Sequence, residues 1–175
     1  MIDPNATNDF NIASAATLSI VGNYVQQSTG DYHVDLRSAG TDLLAITGNA
    51  TLAGDLFIFG SRSLYETVEV LTTTGSVSGI FDTVSSDPID TIESDGEAQA
   101  VTYHSDSVNV TRAFQGDANL DGTVNVLGDA FVLVGNLGTT GGATWAEGDF
   151  TGDGVVNVLG DAFALVGNLG RTFSP

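Results

Sequence analysis

The last third of the chain is written twice. Residues 116–138 read GDANLDGTVNVLGDAFVLVGNLG and residues 148–170 read GDFTGDGVVNVLGDAFALVGNLG, with 18 of the 23 positions identical. A unit this short leaves an apolar side that it cannot cover alone, so the doubled segment constrains the fold more than anything else here. Each copy opens with Asp, then Asn or Thr, then Asp, at every second residue, followed by Gly. Alternate residues of a tightly curled loop point inward. Their oxygens then converge on a hard cation, for which calcium is the usual choice.

Counting each loop from its first Asp gives a ligand set. Positions 1, 3, 5, 7 and 9 are Asp117, Asn119, Asp121, Thr123 and Asn125 in the first copy, and Asp149, Thr151, Asp153, Val155 and Asn157 in the second. Position 6 is Gly122 or Gly154, where the chain must turn sharply. Position 7 would give its backbone carbonyl, so Thr123 and Val155 serve equally. The closing acid of such a loop stands at position 12. Here that place is taken by Gly128 or Gly160, and Asp129 and Asp161 follow one residue later. Both copies share the shift. The expectation is that Asp129 and Asp161 still close the loops, through a one-residue bulge at the glycine, and also cap the following helices. Two Ca2+ ions would take the formal charge from −18 to −14.

After each loop, Phe131, Val134 and Leu137, and then Phe163, Val166 and Leu169, recur at helical spacing. Each helix would be short and end at Gly-Asn-Leu-Gly. The spacing predicts two apolar stripes packed face to face about a pseudo-twofold axis. Val126, Leu127, Val158 and Leu159 would fill the seam, and Trp145 would plug this small core.

Upstream, strand signals dominate. Tyr32, Val34 and Leu36 alternate with Asp31, His33, Asp35 and Arg37, a half-buried strand with His33 outward. The pairs Leu18 and Ile20, Leu44 and Ile46, Val68 and Val70, and Val108 and Val110 repeat the alternation. Leu56-Phe57-Ile58-Phe59 is apolar on both faces, as in a central strand or a contact surface. A fainter repeat runs through this region. Leu18-Ser-Ile-Val-Gly22-Asn23 returns as Leu44-Ala-Ile-Thr-Gly48-Asn49, and Gly30-Asp31-Tyr32 as Gly54-Asp55-Leu56. A period in the twenties fits the rungs of a β-solenoid; similar hairpins of a β-sandwich would read alike. The fold class is therefore a mainly β domain, solenoid or sandwich, over residues 16–114. An N-terminal arm over 1–15 precedes it, and a small α module of two EF-hand-like loop–helix units over 115–171 follows.

The paired units over residues 116–170 resemble a type I dockerin, in the variant common in large secreted proteins of planctomycete-type bacteria. The resemblance implies a module folded by two calcium ions, with cohesin domains as partners of its helices. Cohesin-binding dockerins usually carry polar residues such as Ser or Thr at loop positions 10 and 11. Val126–Leu127 and Val158–Leu159 depart from that and favour anchoring or assembly. Residues 16–112 resemble the C-terminal stretch of large secreted bacterial repeat proteins, autotransporter-like β-helical ones among them. The likeness rests on GNYVQ (22–26), AGTDLLAITGNATLAGDL (39–56) and TTTGSVSGIFDTV (72–84). It implies a structural role without catalytic residues.

Charge and composition narrow the function classes. Twenty-two acids stand against four Arg and no Lys, which leaves no basic patch for nucleic acid or an anionic membrane. No cysteine is present, so a metal is the available staple, as suits an extracellular or cell-surface protein. No segment approaches the ~20 apolar residues of a membrane span. Met1-Ile2-Asp3-Pro4 lacks the basic start and apolar stretch of a signal peptide, so an exported chain is expected as a mature or excised piece. The acidic run Asp87, Asp90, Glu93, Asp95 and Glu97 reads as a solvated loop. His104-Ser105-Asp106 has triad letters, but neighbours on a strand cannot converge. The sequons at Asn5, Asn49 and Asn109 carry little weight. There is no P-loop, GxSxG or hydrolase His cluster, and we read no enzyme. One Trp lies outside the β region, and the aromatics within it are expected to alternate mostly into the core, which argues against a carbohydrate platform. The expected role is structural or in assembly, with the chain itself or a cohesin-like domain as partner. The alternative is a binding module, docking such a partner or gripping polysaccharide.

Overall fold

The computed structural model describes residues 16–36, 40–86 and 96–175. The expected arm over 1–15, Arg37, and the acids Asp87, Asp90, Glu93 and Asp95 lie outside the described residues.

Among the described residues the fold is mainly β, with two short α-helices in the last third of the chain. Nine short strands come in threes: β1 (Thr17–Ile20), β2 (Tyr24–Val25) and β3 (Asp31–Asp35); β4 (Leu43–Ile46), β5 (Ala50–Leu52) and β6 (Asp55–Phe59); β7 (Thr67–Thr73), β8 (Val77–Gly79) and β9 (Thr83–Ser86). Each strand pairs in parallel with the one three places on, so β1-β4-β7, β2-β5-β8 and β3-β6-β9 each stack side by side. Each circuit of the chain thus adds one strand to each of three sheets. The hairpin β10 (Glu97–Tyr103) and β11 (Ser107–Phe114) closes the first sheet in antiparallel fashion, β11 lying against β7.

The fainter repeat is the register of this stack. Leu18 lies beside Leu44 and Leu44 beside Leu71; Asp31 lies beside Asp55 and Tyr32 beside Leu56. At the corner, the Asn23 side chain accepts the Asn49 backbone N–H at 2.9 Å, and the Asn49 side chain accepts that of Ser76 at 3.0 Å. Gly48 is required because a Cβ there would run into the Gly22 carbonyl of the circuit before. Val34, Leu44, Ile46, Leu52, Leu56, Ile58, Val70, Leu71 and Val110 form a buried core inside the circuits. Burying each such side chain contributes about 1.5–3 kcal/mol. Leu18 holds the same inward position on the first circuit, where no further strand is described, and is 64% exposed.

Leu56 and Ile58 point into the core, whereas Phe57 and Phe59 stay half-exposed on the outer face with exposed His33, as the apolar-on-both-faces reading allowed. These aromatics do not alternate inward as expected. Their rings turn toward one another, with His33 at 4.9 Å from Phe57 and 5.6 Å from Phe59, which covers ring faces that would otherwise sit open. Glu97 is also not in a solvated loop. It is buried at the start of β10 between Arg112 (2.7 Å) and Arg171 (3.4 Å), because the hairpin brings those arginines to it. His104-Ser105-Asp106 is the exposed turn between β10 and β11 rather than part of a strand.

A second buried cluster joins the hairpin to the loop–helix units. Ala100, Ala113 and Phe114 meet Ala118, Val124, Leu133, Trp145, Phe150, Val156 and Leu165. Trp145 plugs this cluster, as expected, and donates its indole N–H to the Asp117 carbonyl at 2.7 Å.

Candidate metal centre

Each loop runs into an irregular helical turn and then a regular one: Val126–Ala130 leads into α1 (Phe131–Asn136), and Val158–Ala162 into α2 (Phe163–Asn168). The irregular turns bond across five residues, Ala130 N–H to the Asn125 carbonyl at 3.3 Å and Ala162 N–H to the Asn157 carbonyl at 3.2 Å. Such a widened turn absorbs one extra residue, and here it absorbs Gly128 or Gly160. The bulge brings the late acid to the loop mouth. Asp129 accepts the N–H of Ala118 at 2.9 Å and of Asn125 at 2.7 Å; Asp161 accepts those of Phe150 at 2.9 Å and Asn157 at 2.8 Å. The expected capping role falls elsewhere. Asn125 and Asn157 cap the turns, each accepting the inserted glycine's N–H at 2.7 Å, because the acid already lies one turn inside.

Position 1 is equally enclosed. Asp117 accepts the N–H of Asp121 at 3.2 Å and of Gly122 at 2.9 Å, and Asp149 accepts those of Gly152 and Gly154, both at 2.8 Å. In the second loop the Thr151 hydroxyl lies between Asp149 (3.3 Å) and Asp161 (3.1 Å). In the first, the Asn119 amide bonds Asp121 at 3.0 Å, and the Asn125 amide bonds the Thr123 carbonyl at 3.2 Å. The carboxylates of Asp121 and Asp153 stay at the surface and accept the N–H of Thr123 and Val155. Val155 brings no side-chain oxygen, and its carbonyl is the group it could give.

Asp117, Asp129 and Asp161 are fully buried and Asp149 is 4% exposed. None of the four enters an ion pair among the described residues. Burial pushes the Asp149 carboxyl up to about 6, with Asp161 adding repulsion and the Gly154 and Gly152 N–H groups opposing. Burial also raises Asp129, with Asp117 adding to the rise and the backbone N–H groups of Asn125 and Ala118 opposing it. Each loop thus encloses two buried acids that no cation balances among the described residues, held by backbone N–H groups, an arrangement that is costly while both are ionised. Among the described residues, no three Asp, Glu or His side chains are drawn into one cluster. The acids come in twos, and Asn, Thr and backbone carbonyls would complete any shell.

Of the contacts that tie the loop–helix units in place, three were not legible in the sequence. The Tyr65 hydroxyl donates to Asp117 at 2.5 Å, from a residue in left-handed backbone (φ 61°) between β6 and β7. Val84 on β9 donates its N–H to the Gly152 carbonyl at 2.7 Å, seating the second loop on the circuits. Asn168 on α2 bonds the Gln115 carbonyl at 3.0 Å.

The helix stripes depart from expectation. Phe131 and Phe163 are both 62% exposed, and Val134, Leu137, Val166 and Leu169 are exposed too. Val126, Leu127, Val158 and Leu159, expected in a seam, also face outward. Leu133 and Leu165 are the large apolar helical residues that are buried. The helices FVLVGN and FALVGN are apolar nearly all round, so periodicity could not choose their buried side.

No protein-family model, no curated protein and no solved structure matches this chain.

Proposed function

We propose that the chain is an extracellular structural or assembly protein, whose terminal dockerin-like module binds two calcium ions and serves anchoring or self-assembly. The observation that carries this reading is the pair of equivalent loops, each enclosing two buried carboxylates that no arginine balances. Asp117, Asn119, Asp121, Thr123, Asn125 and Asp129 would hold one ion, and Asp149, Thr151, Asp153, Val155, Asn157 and Asp161 the other. The ion supplies the missing positive charge. The body is read as a short β-solenoid, supported by three parallel circuits in register and by the Asn23–Asn49–Ser76 ladder at their corner.

A second reading, a module that recruits a cohesin-like partner, draws support from the exposed apolar helix faces. Polysaccharide binding by the β body draws less, since the outward rings of His33, Phe57 and Phe59 turn toward one another.

Calorimetry with calcium on the full chain tests the proposal. Two ions should bind at ~10⁻⁴–10⁻³ M, the range of extracellular modules. EDTA should then lower the helical circular dichroism, because seven acids between 117 and 161 repel without metal. Fewer than two ions, or a helical signal indifferent to EDTA, would overturn it.

A further inference from the structure

We infer that the two helix faces are equivalent docking sites for a second copy of this chain. The inference rests on the calcium-folded module proposed above and names its partner. Residues 126–137 and 158–169 differ at one position, Val132 against Ala164, and both of those side chains pack against the shared core. The five large apolar positions that face outward are identical in the two copies. Their exposures match pair by pair, as at Leu127 and Leu159 (79% and 81%). Outward positions are ordinarily the freest to differ, since little packs on them. Here the difference falls inside and the identity outside, so both faces answer to one kind of surface.

Charge says which surface. From Gly122 to Ala146 the single formal charge is Asp129, and from Gly154 to Gly170 it is Asp161, both fully buried. The faces are therefore uncharged ground on a chain of −18. Two copies meeting here bring no like charges face to face and desolvate none, so only their screened net repulsion opposes the contact, and a basic partner would find nothing on these faces to pair with. Area sets the arrangement. Five side chains at roughly half exposure present on the order of 400 Å² per face. One face on one face would bury about 800 Å² in total, short of the ~1,200 Å² of a stable pair, whereas both faces engaged at once would reach about 1,600 Å². The favoured assembly is thus reciprocal, with both faces of one copy covered by both faces of the other.

Analytical ultracentrifugation of the full chain in saturating calcium, with calcium stoichiometry measured on the same samples, tests this. The wild type should form dimers in the micromolar range. Phe131→Asp and Phe163→Asp should each weaken association at least ~10-fold, to the same extent, and the double variant should be monomeric. Leu127→Ser and Leu159→Ser change the most exposed pair and should act in the same direction without touching the core. Larger assemblies that both single variants reduce equally support the same faces engaged in succession. A wild type that binds two ions yet stays monomeric at high micromolar concentration overturns the inference and leaves the calcium reading standing. So do single variants of unequal effect, or a double variant that associates like the wild type. Loss of calcium binding in the wild type itself would overturn the underlying reading instead.

Discussion

At Asp149, burial opposes the charge that a cation needs. Its folded carboxyl titrates at about 6, whereas an unfolded Asp titrates near 4. Between those values the metal-free folded chain holds a proton that the unfolded chain has released. Stability conferred by that proton is therefore present at low pH and lost as pH rises through about 6. Calcium bound as proposed would reverse the balance, because it would bind only the ionised form. Chemical denaturation in EDTA should show a less stable chain at pH 7 than at pH 5, while calcium affinity should drop on the order of tenfold over the same descent from 7 to 5. Affinity that does not change with pH would remove Asp149 from the site. Tyr65 acts one step further out, its hydroxyl holding Asp117. Tyr65→Phe keeps the ring in the cluster with Phe114 and Phe173 and removes only that bond. It should weaken one of the two proposed calcium sites about 10-fold, the usual scale for a group that orients a ligand, and leave the other unchanged in a calcium titration.

The loops show what their differences are for. Position 4 is left-handed in both, at Leu120 (φ 57°) and Gly152 (φ 75°). Leu120 bears the strain of about 1 kcal/mol and packs against the shared cluster. Gly152 cannot be so replaced, because a Cβ there would press on the Val84 carbonyl of β9. Gly152→Ala should therefore destabilise the chain by about 2 kcal/mol or more in urea unfolding, through backbone strain and a broken seat on the body. A change below ~0.5 kcal/mol would mean that the loop is not seated there. The alternating acids announced these loops in the sequence, and the shared shift of Asp129 and Asp161 announced the bulge. The buried side of each helix was not announced. Phe131, Val132, Leu133 and Val134 are apolar on every side, and only packing in the shared cluster, close to Gly148, selects Leu133. Tyr65 and Gly152 were equally silent, since their roles depend on contacts 52 and 68 residues away, Tyr65 with Asp117 and Gly152 with Val84.

For the whole molecule, the circuits and the loop–helix units have separate cores joined at one wall. The circuits were half legible, because Gly48 and Asn49 repeat Gly22 and Asn23 for a reason of close approach, whereas the third circuit carries Ser76 and hides the period. The core within the circuits contains none of the buried carboxylates, while the second cluster is laced to Asp117 through Trp145. Calcium should therefore stabilise the second core selectively. Two ions at a hundredfold above their dissociation constants contribute about 5 kcal/mol, which in a chain of this size is on the order of 15 °C in melting midpoint. Trp145 is the only Trp in the chain, so its fluorescence reports that core alone. In EDTA its transition should fall by about that amount and its emission shift to the red as the indole meets water, with the β signal in circular dichroism persisting to higher temperature. A Trp145 transition at the same temperature in calcium and in EDTA would mean that the two loops fold without the ion.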